Sequence, residues 1–253
     1  MRTSCSVVLL SLVAACGGGA SAPDAAFATD ATAGDAAPVV DAAPGADAGL
    51  RTCADPAGLP VYLNRAGGDY SPGFENPGNN KSSLLSNPVT LLPYGEDDET
   101  WQGIVACVAD LVAPFHLRVT TVDPGAVDQL EIVVTGSSST VLGTPNADQI
   151  SPFTCGTIRS SVHFVLPTET PPLDPHVICQ LAAQAIGHAA GIESTPDCSD
   201  VMAASIGQPS CSGANGFSNS NLVCGVTSAT ACQCGGTTRN SFAKMTTAFG
   251  ACP

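Results

Sequence analysis

Residues 179 to 202 read Cys179-Gln180-Leu181-Ala182-Ala183-Gln184-Ala185-Ile186-Gly187-His188-Ala189-Ala190-Gly191-Ile192-Glu193-Ser194-Thr195-Pro196-Asp197-Cys198-Ser199-Asp200-Val201-Met202. Upstream, Asp174-Pro175 is a strong helix start: the Asp carboxylate can accept an orphan N–H, and Pro tolerates the first helical position. The spacing predicts a helix running to about Ala190, with Gly191 as its C-terminal stop. Within that helix Gln184 and His188 are four residues apart and share one face. Taken alone, His188 reads as a satisfied core histidine.

The elements around this helix set the fold class. Pro60–Asn64 reads as a first strand, followed by a loop rich in Gly, Pro and Asn from Gly67 to Asn80. Trp101, Ile104, Val105, Val108, Leu111 and Val112 recur at three and four residues and form one apolar helical face. The acids Glu96-Asp97-Asp98-Glu99 precede it, where they suit the helix dipole, with a calcium-binding cluster as the other reading. Pro114 ends that helix. His116–Val122, Leu130–Thr135 and Val162–Leu166 follow as strands, and His116 and His163 are read as structural or surface histidines. After Ser210 the chain is cysteine-rich and loop-like. It closes with a short helix, Ser241–Phe249, capped by Asn240 or Ser241 and stopped by Gly250. The order is strand, helix, strands, late helix, which predicts an α/β fold with a mostly parallel sheet.

Composition excludes some functions. Acids outnumber bases 22 to 8, the wrong sign for a nucleic-acid binder or for attraction to an anionic membrane surface. Of the 12 cysteines, Cys5 and Cys16 fall in the leader. The other ten (Cys53, Cys107, Cys155, Cys179, Cys198, Cys211, Cys224, Cys232, Cys234 and Cys252) are even in number and point to disulfides in an oxidising compartment. A structural zinc site built from Cys211, Cys224, Cys232 and Cys234 is the competing reading. Cys232 and Cys234 are too close to pair with each other, so each is expected to tie a different segment.

Residues 1–15 read as a signal peptide: Arg2 gives the positive start and Val7–Val13 an apolar core too short to span a bilayer. Val13-Ala14-Ala15-Cys16 resembles a bacterial lipobox, with Cys16 lipidated and followed by Gly17, which in a Gram-negative host suits outer-membrane sorting. Residues 16–52 are Ala, Pro and Asp rich and cannot bury a core, so they read as a disordered tether. Residues 53–253 form the domain. The expected product is a monomeric, exported bacterial lipoprotein held to the membrane through Cys16.

The stretch from Gln184 to Met202 resembles the zinc helix and Met-turn of a metzincin (matrixin-like) metalloprotease, whose pattern is His-Glu-x-x-His-x-x-Gly-x-x-His followed by a turn containing Met. Aligned on His188 and Gly191, Gln184 stands at the first His, Ala185 at the Glu, and Ser194 at the third His, while Met202 falls in the Met-turn. The resemblance implies a zincin-like α/β domain: a twisted, mostly parallel sheet, two main helices and a disulfide-rich C-terminal tail. It implies that three histidines would hold zinc, with the Glu as general base. Here only His188 matches. Gln184 is a poor ligand beside imidazole, Ala185 accepts no proton, and Ser194 is a weak donor. Glu193 and Asp197 lie near the third-ligand position but out of register, and His176 is about 12 Å from Gln184 along the helix. No Gly-x-Ser-x-Gly elbow is present.

Three readings therefore stand open. One is a pseudoprotease without zinc or peptidase activity, its groove kept for a peptide or protein partner. The second is an active metallopeptidase with a non-standard zinc site around His188, using Glu193, Asp197 or Asp200. The third is a disulfide-stabilised envelope protein unrelated to proteases.

Overall fold

A computed structural model describes residues 57–143, 147–167, 173–206, 211 and 216–252. The stretches read as a signal peptide and a tether, together with Cys16 and Cys53, lie outside the described residues. Strand β1 (Leu59–Asn64) opens the chain, then β2 (Gly68–Pro72), β3 (Lys81–Ser82) and β4 (Val89–Leu91). Helix α1 (Asp98–Val112) leads to β5 (Leu117–Thr120) and β6 (Leu130–Val134). A short α2 (Ser138–Leu142), β7 (Gln149–Ile150) and β8 (Ser161–Val165) precede α3 (Pro175–Ala189). The tail adds β9 (Leu222–Val223), β10 (Thr238–Arg239) and α4 (Ser241–Phe249).

The central sheet has five strands in the order β5-β1-β6-β8-β7. The first four are parallel, and only the edge strand β7 runs antiparallel to its neighbour. Every residue of β6 and β8 is buried, as a parallel sheet covered on both faces requires. Alternate residues serve two cores. Leu130, Ile132, Val134 and Val165 pack with Val105, Val108, Ile178 and Ile186 from α1 and α3. Val133, Val162 and Phe164 pack on the opposite face with Tyr70, Leu85 and Leu91. That second cover is a small three-stranded sheet, β3-β2-β4; β2 forms inside the Gly67–Asn80 stretch read as a loop, and β3 and β4 form in the stretch after it, where no element is predicted. Its strands are two to five residues long, too short for a hydrophobic period to register.

Each helix begins and ends as its sequence dictates. Asp97 caps α1, accepting a hydrogen bond from the Thr100 N–H at 2.8 Å, so within the acidic run this residue serves as a helix cap. Asp174 does the same for α3 through the His176 N–H, and Asn240 for α4 through the Ala243 N–H. At the C-terminus of α3, Gly191 has φ +75°. The Gly191 N–H reaches the His188 carbonyl and the Ile192 N–H reaches that of Gly187, both at 3.0 Å. This paired closure is the Schellman arrangement. A Cβ at Gly191 would also stand 2.9 Å from the Cys155 carbonyl oxygen, so glycine is required twice over.

Disulfides link these elements. Cys107 of α1 bonds Cys179 of α3, Cys155 bonds Cys234, Cys198 bonds Cys211, and Cys224 bonds Cys232. Cys252 is disulfide-bonded as well. Cys232 and Cys234 tie different segments, as their spacing requires, and the four tail cysteines considered for zinc are all oxidised. The chain is thus a mixed α/β protein with a mostly parallel central sheet, four α-helices among the described residues and disulfide-bonded cysteines, a chemistry compatible with an oxidising extracellular compartment. No described helix is long and apolar enough to cross a membrane.

Candidate functional site

Helix α3 presents its last turn to a groove of about 600 Å³. One wall is the edge strand β7 and the residues after it, including Ser151 and Phe153; the other is the tail from Gly225 to Gln233; Leu84, His188, Glu193 and Ser194 also line it. Among the described residues, no strand lies beside the backbone edge of β7 that is turned away from β8.

His188 is held from two sides. Its Nδ1–H donates to the Ile192 carbonyl at 2.9 Å, a bond that fixes the tautomer and leaves Nε2 as an acceptor. The Phe153 ring meets it edge to face, at 6.0 Å and 86°. Burial, aided by the charge of Arg239 and opposed by the Ile192 bond, pushes the imidazole down to about 4. It is therefore neutral at physiological pH.

The other positions of the zinc pattern are put to structural use. Gln184 is buried, and its Nε2 donates to the Ala203 carbonyl at 3.0 Å. Ala185 is fully buried in the core. Glu193 lines the groove, but its two carboxylate oxygens accept from the Gln233 and Cys234 N–H groups at 2.9 and 2.6 Å. Ser194 lines the groove, and its carbonyl accepts from the Gly225 N–H at 3.0 Å. Asp197 is exposed in the following turn, where it accepts from the Ser199 N–H at 2.9 Å. Asp200 is fully buried and accepts from the Met202 N–H at 2.8 Å and from the Ser241 hydroxyl, with Arg239 3.6 Å away. The fold thus brings His188, Glu193 and Ser194 to one groove and uses Gln184, Ala185, Asp197 and Asp200 elsewhere.

Met202 is fully buried, against the last turns of α3. A Cβ at Gly187 would stand 2.2 Å from its Sδ, so the helix keeps a glycine where the methionine crosses it. The turn closes on Thr195, whose N–H donates to the Met202 carbonyl at 3.0 Å.

A second histidine approaches the groove that its isolated place on a strand did not single out. His163 bonds the Ser151 hydroxyl through Nδ1 and the Ser161 hydroxyl through Nε2, each at 2.8 Å. Ser161 and His163 lie two apart on β8 and share a face; that spacing was the available signal. Burial, then the proximity of His188, pushes His163 down to about 3. Burial therefore holds this ring neutral, hydrogen-bonded to a serine hydroxyl at each nitrogen. The trio fixes Ser151 at the groove wall.

These residues do not fit a catalytic zinc. Such a site needs three protein donors and an open position, and among the described residues the groove offers the Nε2 of His188 beside a carboxylate already holding two N–H groups. Among the described residues, Glu193, Cys224 and Cys232 come within metal-binding distance of one another. The two sulfurs, however, form a disulfide and supply no thiolate. No protein-family model matches the chain, and neither does any curated protein.

Proposed function

We propose that this chain is a metzincin-like pseudoprotease, a surface lipoprotein anchored through Cys16, whose groove binds an extended peptide or protein segment without cleaving it. The observation that carries the reading is the disposition of the zinc-pattern positions along α3. His188, the Schellman stop at Gly191 and Met202 packed against Gly187 keep the frame of the motif. Gln184 and Ala185, where the first ligand and the general base would stand, are buried in structural contacts. The strand, helix, strands, late helix order resembles the metzincin layout, and the open edge of β7 suits main-chain pairing with an extended ligand. Loss of the general base alone costs about 10² to 10⁴ in rate, and loss of two ligands removes tight zinc binding.

The test is metal content. The purified exported chain, disulfides intact, should carry no stoichiometric zinc after equilibration with the ion; stoichiometric zinc that disappears in His188→Ala would overturn the reading. The combined Gln184→His, Ala185→Glu and Ser194→His variant should take up zinc. A variant that still ignores the metal counts against the metzincin frame.

A further inference from the structure

Ser151 begins a chain of three side chains that runs from the groove into the core. In the antiparallel pairing of β7 with β8, Ile150 stands opposite Phe164. One residue further, the same register sets Ser151 opposite His163, on one face of the sheet. The Ser151 hydroxyl is 2.8 Å from His163 Nδ1, and His163 Nε2 is 2.8 Å from the Ser161 hydroxyl. Ser151 is half-buried and lines the groove, while His163 and Ser161 are fully buried.

The surrounding donors set the direction of these bonds. Gln149 also lines the groove, and its Nε2 donates to Ser151 Oγ, so the hydroxyl keeps its own proton for His163 Nδ1. The neutral ring then carries its proton on Nε2 and donates it to Ser161 Oγ. A groove-lining hydroxyl, an unprotonated imidazole nitrogen in reach of it, and a third group that orients the ring form the arrangement that activates a serine nucleophile. Burial keeps His163 unprotonated at neutral pH and makes its imidazolium costly. A base of that kind suits leaving groups that depart without needing a proton, which are those of activated esters rather than of amides.

We propose that Ser151 is a nucleophile toward activated acyl groups, aryl esters and thioesters, with His163 as its general base and Ser161 as the residue that positions the ring. Ser151 Oγ attacks the acyl carbon as its proton passes to His163 Nδ1. The Gln149 side-chain amide, already beside Oγ, is the donor available to the developing oxyanion. The bond from the acyl carbon to the leaving oxygen or sulfur breaks, the leaving group takes the electron pair, and the Nδ1 proton is released to it or to water. Water then attacks the O-acyl serine, again giving its proton to Nδ1, and the carboxylic acid leaves with Ser151 restored. No residue of the zinc pattern takes part, so the proposal does not depend on the metzincin reading. A base confined to activated esters is also in keeping with a groove that holds a peptide without cleaving it.

The test treats the full exported chain, disulfides intact, with a biotinylated fluorophosphonate, whose phosphorus takes the serine oxygen and loses fluoride. Peptide mass spectrometry should place a single adduct on Ser151, and p-nitrophenyl acetate should give a burst of p-nitrophenol equal to the amount of chain. Ser151→Ala, a small change at a half-buried position, should remove both signals. Ser161→Ala should slow labelling at saturating probe by up to about 10²-fold, the cost of a misplaced catalytic group, and leave the half-saturating probe concentration unchanged; a purely structural contact would not divide the two in that way. If Ser161→Ala does not fold, the Ser151 adduct and its loss in Ser151→Ala decide the matter. An unlabelled Ser151, adducts scattered over several hydroxyls, or an undiminished burst in Ser151→Ala assigns the trio to the groove wall alone and overturns the proposal. A folded Ser161→Ala chain that reacts as fast as the parent overturns it as well.

Discussion

Gln184 Nε2 donates to the Ala203 carbonyl at 3.0 Å, joining the middle of α3 to the turn that holds Met202 across 19 residues of sequence. Both ends of this bond are buried, so Gln184→Ala leaves a carbonyl without its donor. A loss of about 1–3 kcal/mol is expected. Urea unfolding of the variant measures it, and an unchanged midpoint would show that the bond contributes nothing net.

Gly187→Ala should destabilise the protein although alanine favours helix by about 1 kcal/mol. The added Cβ would meet Met202 Sδ at 2.2 Å and Phe217 Cε1 at 3.1 Å, and overpacking of this kind costs about 1–3 kcal/mol. Met202→Ala in the same background should recover part of the loss. If the double variant is simply as unstable as the two single changes added together, the two residues do not oppose one another.

Stability should fall with acid. His163 and His188 have folded-state values of about 3 and about 4, below the ordinary histidine value of about 6.5. The unfolded chain therefore binds protons first as pH drops, so the contribution of these buried neutral rings is complete above about 6.5 and is lost progressively toward 3–4. At about 1.4 kcal/mol per unit of pH, each ring accounts for a few kcal/mol. Glu131, whose burial raises its carboxyl, acts in the opposite direction by taking a proton more readily in the folded state. Urea midpoints at pH 7, 5.5 and 4.5 should decline, with a shallower decline in His163→Gln. A variant as steep as the parent would remove His163 from the account.

Replacing Cys107 and Cys179 together by alanine should cost about 4 kcal/mol, the chain-entropy value for a cross-link spanning 72 residues. The bridge joins the two 15-residue helices that cover one face of the sheet. Thermal unfolding of the double variant under oxidising conditions checks this, and an unchanged transition would mean that the cross-link does not restrict the unfolded chain as the entropy model requires.

The sequence by itself determined the regular elements. The Trp101–Val112 periodicity, the Asp174-Pro175 start, the Gly191 stop and the Asn240–Phe249 helix are local signals, carried by capping chemistry and by apolar residues on one helical face. Leu130–Thr135 and Val162–Leu166 likewise read as strands, and the even set of cysteines marked disulfides; that both strands are buried throughout emerged only with the sheet. None of the local signals requires knowledge of a distant partner.

Tertiary structure alone decided what lies between and beside them. The small sheet, which packs Tyr70 onto Phe164, and the two-residue edge strand β7 have a larger sheet to cover or extend. Their own sequences are too short and too polar to declare a period. The site divides in the same way. Gln184, Ala185 and Ser194 were visible as residues unsuited to zinc chemistry, but the sequence could not assign them other tasks. Glu193 binds backbone 40 residues away, Asp200 faces Arg239 from 39 residues away, and His163 reaches the groove through Ser151. Those relationships rest on hydrogen bonds and charges between segments that meet only when the chain is folded.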